Sequence, residues 1–268
     1  MTRLLLSLLY IIAIPLAVVQ HAVAQKKISL HTIAYQYAKP DHDIVRILTY
    51  NVRNCRGTDE KTDYDRIAAV ISAIHPQVVA LQELDSATMR SSGIDVLKVI
   101  AKKCRMKYTY GASISYQGGK YGIGILSKDA PLKSSFFSLP GKEEKRGLLI
   151  AEFKNYILFC SHFSLTEADR SLSVQIINQK AKEFHKRVIF AGDLNAPPQS
   201  EAIHSLSESW INLSGTWPTF PSEGPKTCID YIWGTRCCNY SYTIIKQEVV
   251  PDRVSSDHLP VFVDVKFK

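Results

Sequence analysis

What most limits the folding options of this chain is a succession of short apolar, β-branched runs with few helical stretches between them. Ile44-Val45-Arg46-Ile47-Leu48-Thr49-Tyr50 reads as a strand, as does Val78-Val79-Ala80-Leu81. Between them Asp63 suits a helix N-cap, Ile67, Val70, Ile71 and Ile74 follow at helical spacing, and Pro76 stops the helix. A second helical stretch covers 93–104, strands fall near 107–113 and 121–127, and a hairpin over 148–162 turns at Lys154-Asn155. The longest helix is expected over 167–186, with Leu172, Ile176, Ala181 and Phe184 on one side. Runs at 188–192, 229–233, 242–249 and 261–267 supply the remaining strands. So many strands overfill one open sheet. An α/β four-layer sandwich, two packed mixed β-sheets flanked by helices, satisfies the count.

No linker-like segment, charge block or repeat divides the chain. Residues 44–268 are therefore read as a single domain, preceded by an extended lead-in over 25–43. With 46% hydrophobic and 22% charged residues, the chain is too apolar for disorder.

The first residues have a different character. Arg3 precedes an apolar run from Leu4 to Val19, and Ala22-Val23-Ala24 offers a small-x-small cleavage pattern. Residues 1–24 are expected to be a signal peptide, leaving Gln25 at the mature N-terminus of an exported protein, periplasmic or extracellular. Ser7 and Pro15 interrupt the run, which falls short of the ~20 apolar residues that span a bilayer. No stable membrane insertion is expected after cleavage. The first cysteine is Cys55, which argues against a lipid anchor.

Export places the six cysteines in an oxidising compartment. Their spacing does not resemble a zinc site, and Cys160, inside an apolar run, is expected to be a buried thiol. Cys228 is a candidate partner for Cys237 or Cys238. The formal charge is +8, and loss of the leader removes only Arg3, leaving +7. A basic surface favours anionic partners such as phosphate esters, nucleic acid or anionic lipid.

The chemistry gathers where the apolar runs stop. Asn51 ends the first, Gln82-Glu83 the second and Ser161-His162 the hairpin. Gly192-Asp193-Leu194-Asn195 follow Val188-Ile189-Phe190-Ala191, Asp230 sits in Cys228-Ile229-Asp230-Tyr231-Ile232, and Ser256-Asp257-His258-Leu259-Pro260 precede the last strand. One such residue is ordinarily a cap or a turn former. Their recurrence argues for strand ends converging on one edge of the sandwich. Oxygen ligands without a thiolate or histidine-rich cluster suit a hard cation, Mg²⁺ or Mn²⁺. Such an ion polarises a phosphoryl oxygen. An Asp beside a His suggests a dyad, and Asn side chains can hold an attacking water.

Thr49-Tyr50-Asn51, Gln82-Glu83, Ser161-His162, Gly192-Asp193-Leu194-Asn195, Ile229-Asp230-Tyr231-Ile232 and Ser256-Asp257-His258-Leu259-Pro260 together resemble the ordered motif set of the endonuclease/exonuclease/phosphatase superfamily. The resemblance runs from about residue 44 to 268. It implies Glu83 as principal metal ligand, with Asn51 and Asp257 beside it. It implies that Asp193 orients or deprotonates the attacking water, helped by Asn195. His258, oriented by Asp230 or Asp257, is implied as general base or phosphate-binding group, so the base stays open between Asp193 and His258. His162 is implied to stabilise the transition state. Tyr121, in Gly118-Gly119-Lys120-Tyr121-Gly122, and Arg146 are candidate substrate-binding residues.

These readings describe a secreted, metal-dependent hydrolase of a small or sugar phosphate. A secreted endonuclease is the alternative, favoured by the charge. A lipid phosphodiesterase would need an exposed apolar hairpin, for which Phe136-Phe137 with Leu139 is the candidate. A non-catalytic binding module is disfavoured, since Glu83, Asp193 and His258 are all present.

Overall fold

The computed structural model describes residues 35–237 and 239–268. The expected signal peptide, the first part of the lead-in and Cys238 lie outside the described residues. One six-stranded sheet contains β1 (Val45–Asn51), β2 (Val78–Ser86), β3 (Lys107–Tyr116), β4 (Gly119–Ser127), β11 (Tyr242–Val249) and β12 (Val261–Phe267), in the order β11-β12-β1-β2-β4-β3. The other contains β5 (Lys133–Leu139), β6 (Arg146–Glu152), β7 (Ile157–His162), β8 (Val188–Asp193), β9 (Trp210–Asn212) and β10 (Asp230–Thr235), in the order β5-β6-β7-β8-β10-β9. Both sheets are mixed: β1–β2 and β7–β8 run parallel, and their other pairs antiparallel.

Side-chain alternation along each strand explains the layers. Ile47 of β1, Val78 and Ala80 of β2, Leu158 and Cys160 of β7, Ile189 and Ala191 of β8, and Ile232 of β10 fill one core between the sheets. The residues of opposite parity face outward under helices. Leu48, Tyr50, Val79 and Leu81 pack with α1 (Tyr64–Ile74) and α2 (Val96–Cys104). Phe159, Phe190, Tyr231 and Trp233 pack with α3 (Glu167–Ala181) and α4 (Glu201–Ser209). The expected four-layer sandwich is the observed fold.

Local signals explain most elements. Asp63 caps α1, its side chain accepting from Arg66 N at 2.9 Å. The described lead-in has no regular structure, but Tyr37 N donates to Ala73 O and its ring packs on Phe262. Arg46 in β1 forms a buried pair with Asp264 of β12 at 2.6 Å.

Several expectations are corrected. The helix expected over 167–186 ends at Ala181, and Leu172 is exposed while Val174 and Ile177 form its buried face. Of the residues expected on the inner side, Ile176, Ala181 and Phe184 are partly buried against the same core as Val174 and Ile177 and only Leu172 faces out, while Arg170 is buried and donates to Leu165 O. The elements β5, β9 and α4 had no sequence assignment. Phe136 and Phe137 belong to β5 and are partly buried against the cores, and Leu139 is buried, so they form no exposed hairpin. Cys228 is a buried free thiol, not a disulfide partner, with its Sγ directed at Asp230 O. Among the described residues no helix is long and apolar enough to cross a membrane.

Candidate active site

The parity that fills the inter-sheet core continues into polar residues at the strand ends. Counting by twos, β1 runs from Ile47 to Asn51, β7 from Leu158 through Cys160 to His162, β8 from Ile189 through Ala191 to Asp193, and β10 from Ile232 back to Asp230. These four polar side chains therefore emerge from between the sheets at one rim. Register completes the alignment: His162 pairs with Asp193, and Asp193 with Asp230, across adjacent strands.

Glu83 does not share that parity. Val78, Ala80 and Gln82 face the core, so plain alternation would send Glu83 under the helices. The β2–β4 register shifts between Leu81 and Leu84, and Glu83 adopts a left-handed φ of 60°. This bulge re-aims the side chain toward the rim, at a backbone cost of about 1–3 kcal/mol for a non-glycine residue. Gln82 stays buried below it, near Thr49 and Cys160.

The side chains then meet. Asn51 Nδ2 donates to Glu83 Oε1 and to Asp193 Oδ2, each at 3.0 Å. Asp193 Oδ2 lies 3.5 Å from His162 Nε2 and 3.7 Å from His258 Nε2. Asp193 Oδ1 accepts from Asn195 N at 2.9 Å, and Asn195, at φ 46°, anchors its amide on Phe163 O at 3.0 Å. Asp230 Oδ2 accepts from Thr219 Oγ1 at 2.5 Å and lies 2.9 Å from His258 Nδ1. Phe220 packs against the His258 ring at 4.8 Å. Asp257 is partly exposed, with Arg53 Nε at 3.5 Å.

The electrostatics follow from burial and charge. Burial raises the Glu83 pKa, Asn51 opposes the rise, and the carboxylates of Asp193 and Asp257 add to it. Burial lowers that of His162 to about 4, with Asp193 opposing and Arg146 and His258 adding. Burial likewise opposes charge on His258, but Asp230 and Asp193 outweigh it and hold that imidazole up at about 10. The two histidines on either side of Asp193 thus differ in charge near neutral pH.

Acidic oxygens crowded into a half-buried volume, with a neutral amide between two of them, form a donor set that fits a hard divalent cation. Asp193, Asp230 and His258 also bring ligand atoms within 4.8 Å of one another. The close Asp230–His258 contact and the charge on His258 make that trio a poorer host, because a protonated imidazole has no lone pair to lend.

A model of the endonuclease/exonuclease/phosphatase family matches residues 48–258. The chain belongs to that family. Its members hydrolyse phosphoric esters and generally depend on a divalent metal, so this chain is a phosphoric-ester hydrolase. Solved structures share the fold at low identity. A family protein from Bacteroides vulgatus is 20% identical, over 84% of this chain and 99% of that one, with a TM-score of 0.69. A mannosyl-6-phosphatase from Bacteroides thetaiotaomicron is 19% identical, over 82% and 99%, at 0.65. D. rerio TDP2 with a single-strand DNA product is 19% identical, over 83% and 98%, at 0.66. Comparison with curated protein sequences finds no match.

In this family member, Asn51, Glu83, Asp193, Asn195, His162, Asp230 and His258 are linked by direct contacts, and Asp257 sits beside His258 with its charge felt at Glu83. Tyr121 is buried beside them, its hydroxyl pKa raised by burial and then by Glu83 and Glu144. Arg146 is not an open clamp. It is 7% exposed, with Nη1 at 3.1 Å from both Glu144 and His162 and Nη2 at 3.4 Å from Glu143.

Several residues brace the site in roles that strand patterning does not announce. Thr219 braces Asp230, and Ser256 Oγ ties its loop to Asn51 O at 2.8 Å. Arg90, gripped by Asp85 at 2.7 and 3.1 Å, lies over the rings of Tyr116 and Tyr121 at 4.6 and 5.4 Å. Thr219 opens Thr219-Phe220-Pro221-Ser222, upstream of the Asp230 motif, and that short motif is the signal that the sequence offers for it.

Proposed function

We propose that this chain is an exported, Mg²⁺- or Mn²⁺-dependent hydrolase acting on a small or sugar phosphate ester. The observation that carries the reading is the cluster at one rim of the sheets in which Asn51 bridges Glu83 and Asp193, while His162 and His258 flank Asp193. Glu83, Asn51 and Asp257 are the residues that would hold the cation. When bound, it polarises the phosphoryl group and offsets its negative charge.

The remaining steps belong to side chains. Asp193 is the group that orients the attacking water and accepts its proton, because it is the acceptor at the centre of the site. His258, held protonated by Asp230 and Asp193, serves better as a cationic phosphate-binding group than as a base. Asn195, fixed by Phe163 O, helps hold the water, and His162 offers Nε2 to the phosphoryl group.

A small substrate is favoured because the arginines around the cluster are already paired with carboxylates. Arg53 meets Glu60 and Asp257, Arg90 meets Asp85, and Arg146 meets Glu143 and Glu144. A nucleic-acid track would present such cations to phosphates. The mannosyl-6-phosphatase neighbour makes a hexose 6-phosphate the first substrate to test.

An endonuclease is the second reading. It is favoured by the net charge and by the Arg90–Tyr116–Tyr121 stack, whose aromatic faces could receive a base. The purified protein should be assayed with Mg²⁺ and with EDTA against hexose 6-phosphate, p-nitrophenyl phosphate, bis-p-nitrophenyl phosphate and plasmid DNA. Metal-dependent release from the small esters is expected. Nicking at low enzyme with no release from small esters would replace the first reading by the second. Export is checked by N-terminal sequencing of the secreted protein, expected to begin at Gln25.

A further inference from the structure

His162 Nδ1 lies 3.1 Å from Arg146 Nη1. A guanidinium offers only N–H donors and keeps its charge throughout the accessible pH range. The bond therefore has one direction: Arg146 donates, and His162 Nδ1 accepts through its lone pair. An imidazole with that lone pair on Nδ1 carries its proton on Nε2. Nε2 is the nitrogen turned into the site, 3.5 Å from Asp193 Oδ2.

His258 is arranged in the opposite sense. Its Nδ1 faces a carboxylate, Asp230 Oδ2 at 2.9 Å, which favours a proton on Nδ1 and a charged ring. One histidine is backed by a donor and the other by an acceptor, and both direct Nε2 at the same oxygen of Asp193.

We propose that Arg146 is a positioning residue that locks His162 as the neutral Nε2–H tautomer, making His162 a fixed hydrogen-bond donor toward the phosphoryl group. This rests on the reading that His162 faces the substrate phosphate. It assigns Arg146 to the imidazole and not to the phosphate.

The surroundings hold Arg146 in that role. The side chain is buried, and its fork is occupied by Glu144 Oε1 at 3.1 Å and Glu143 Oε1 at 3.4 Å. Glu143 is itself tied to the segment that follows β7, accepting from Leu165 N at 2.7 Å, Ser164 Oγ at 2.8 Å and Thr166 Oγ1 at 3.3 Å. The turn before β6 and the segment after His162 are thereby joined, with Arg146 between them. The charged groups facing His162 are Asp193 of β8, His258 before β12, Arg146 of β6 and Glu143 before β6. Without Arg146, Glu143 and Glu144 would lose their cation, and His162 Nδ1 would be free to take a proton beside them.

The test is long-range ¹H–¹⁵N NMR of the full protein labelled with ¹⁵N-histidine, with His162 assigned through H162N. In the wild type, Nδ1 is expected to be unprotonated and Nε2 protonated, unchanged as pH falls through the ordinary histidine value near 6.5. In R146M, which removes every donor, Nδ1 is expected to take a proton more readily and the His162 titration to move up from its wild-type position, short of the ordinary value because burial still opposes charge, while kcat falls roughly 10–100-fold with little change in KM. R146K, which retains a charged donor, is expected to preserve the wild-type nitrogen pattern. A wild-type spectrum with Nδ1 protonated overturns the proposal, as does R146M with both the wild-type pattern and the wild-type titration. The wild-type spectrum decides the tautomer even if R146M fails to fold. Absence of phosphoesterase activity in the wild type would instead count against the functional reading and leave the nitrogen pattern as it is.

Discussion

Asn51 and Glu83, 32 residues apart in sequence, meet through a 3.0 Å hydrogen bond from Nδ2 to Oε1. The contact requires β1 and β2 to run side by side and β2 to bulge at its end. Asn51 reaches the rim by strand parity. Glu83 reaches it by breaking parity, at a left-handed φ of 60°.

Glu83→Gln keeps the shape and removes the charge. We expect metal-dependent turnover to fall about 100-fold or more while the thermal unfolding profile without metal stays close to wild type. Wild-type turnover in this variant would remove Glu83 from the site.

Metal binding should register as stability. A cation that relieves repulsion among Glu83, Asp193 and Asp257 binds the folded chain and not the unfolded one. At about 100 times its Kd, Mg²⁺ would add about 2.7 kcal/mol, read as a rise in Tm that EDTA reverses. Glu83→Gln should reduce that rise sharply. An identical rise in the variant would place the ion elsewhere.

The Asp230–His258 dyad predicts non-additive losses. Asp230→Asn leaves the volume but no longer holds the imidazolium, and we expect kcat to drop roughly 10²–10⁴-fold. His258→Gln should cost a similar factor, and the double variant little more than either single one, because the two act as a unit. Multiplying losses would separate their roles.

Glu143 predicts a stability change with pH. Burial works against its charge, but Leu165 N, Ser164 Oγ and Arg146 outweigh it and lower its pKa from 4.5 to about 2. A depressed folded pKa contributes stability above the unfolded value, lost as pH falls from about 4.5 toward 2. Glu143→Gln should therefore be less stable than wild type at pH 7, with the gap closing across that acid window in urea unfolding. A gap constant with pH would exclude the charge as its source.

The thiols offer a check on packing. Cys55 and Cys160 are buried, and burial pushes both pKa values up, that of Cys160 to about 12. Cys237 is exposed. Maleimide should label Cys237 in the folded protein, and Cys55 and Cys160 only after denaturation. Labelling of Cys160 in the native state would contradict the sealed inter-sheet core.

The sequence by itself determined the layered sandwich, because strand-length apolar runs outnumber what one sheet can hold. It also marked Asn51, His162 and Asp193, where apolar runs stop, and Asp230 and His258, where apolar runs begin. It was silent on β5, whose Phe136 and Phe137 sit among serines, and on α4, whose short amphipathic turns look like loop. The tertiary structure alone decided three things. It bent β2 so that Glu83 faces the rim, placed Thr219 under Asp230, and turned Arg146 onto His162. Strand periodicity is local and can be read along the chain. A bulge, a brace across separate segments and the partner of an imidazole depend on which strands become neighbours, and that is fixed only when both sheets close on their shared core.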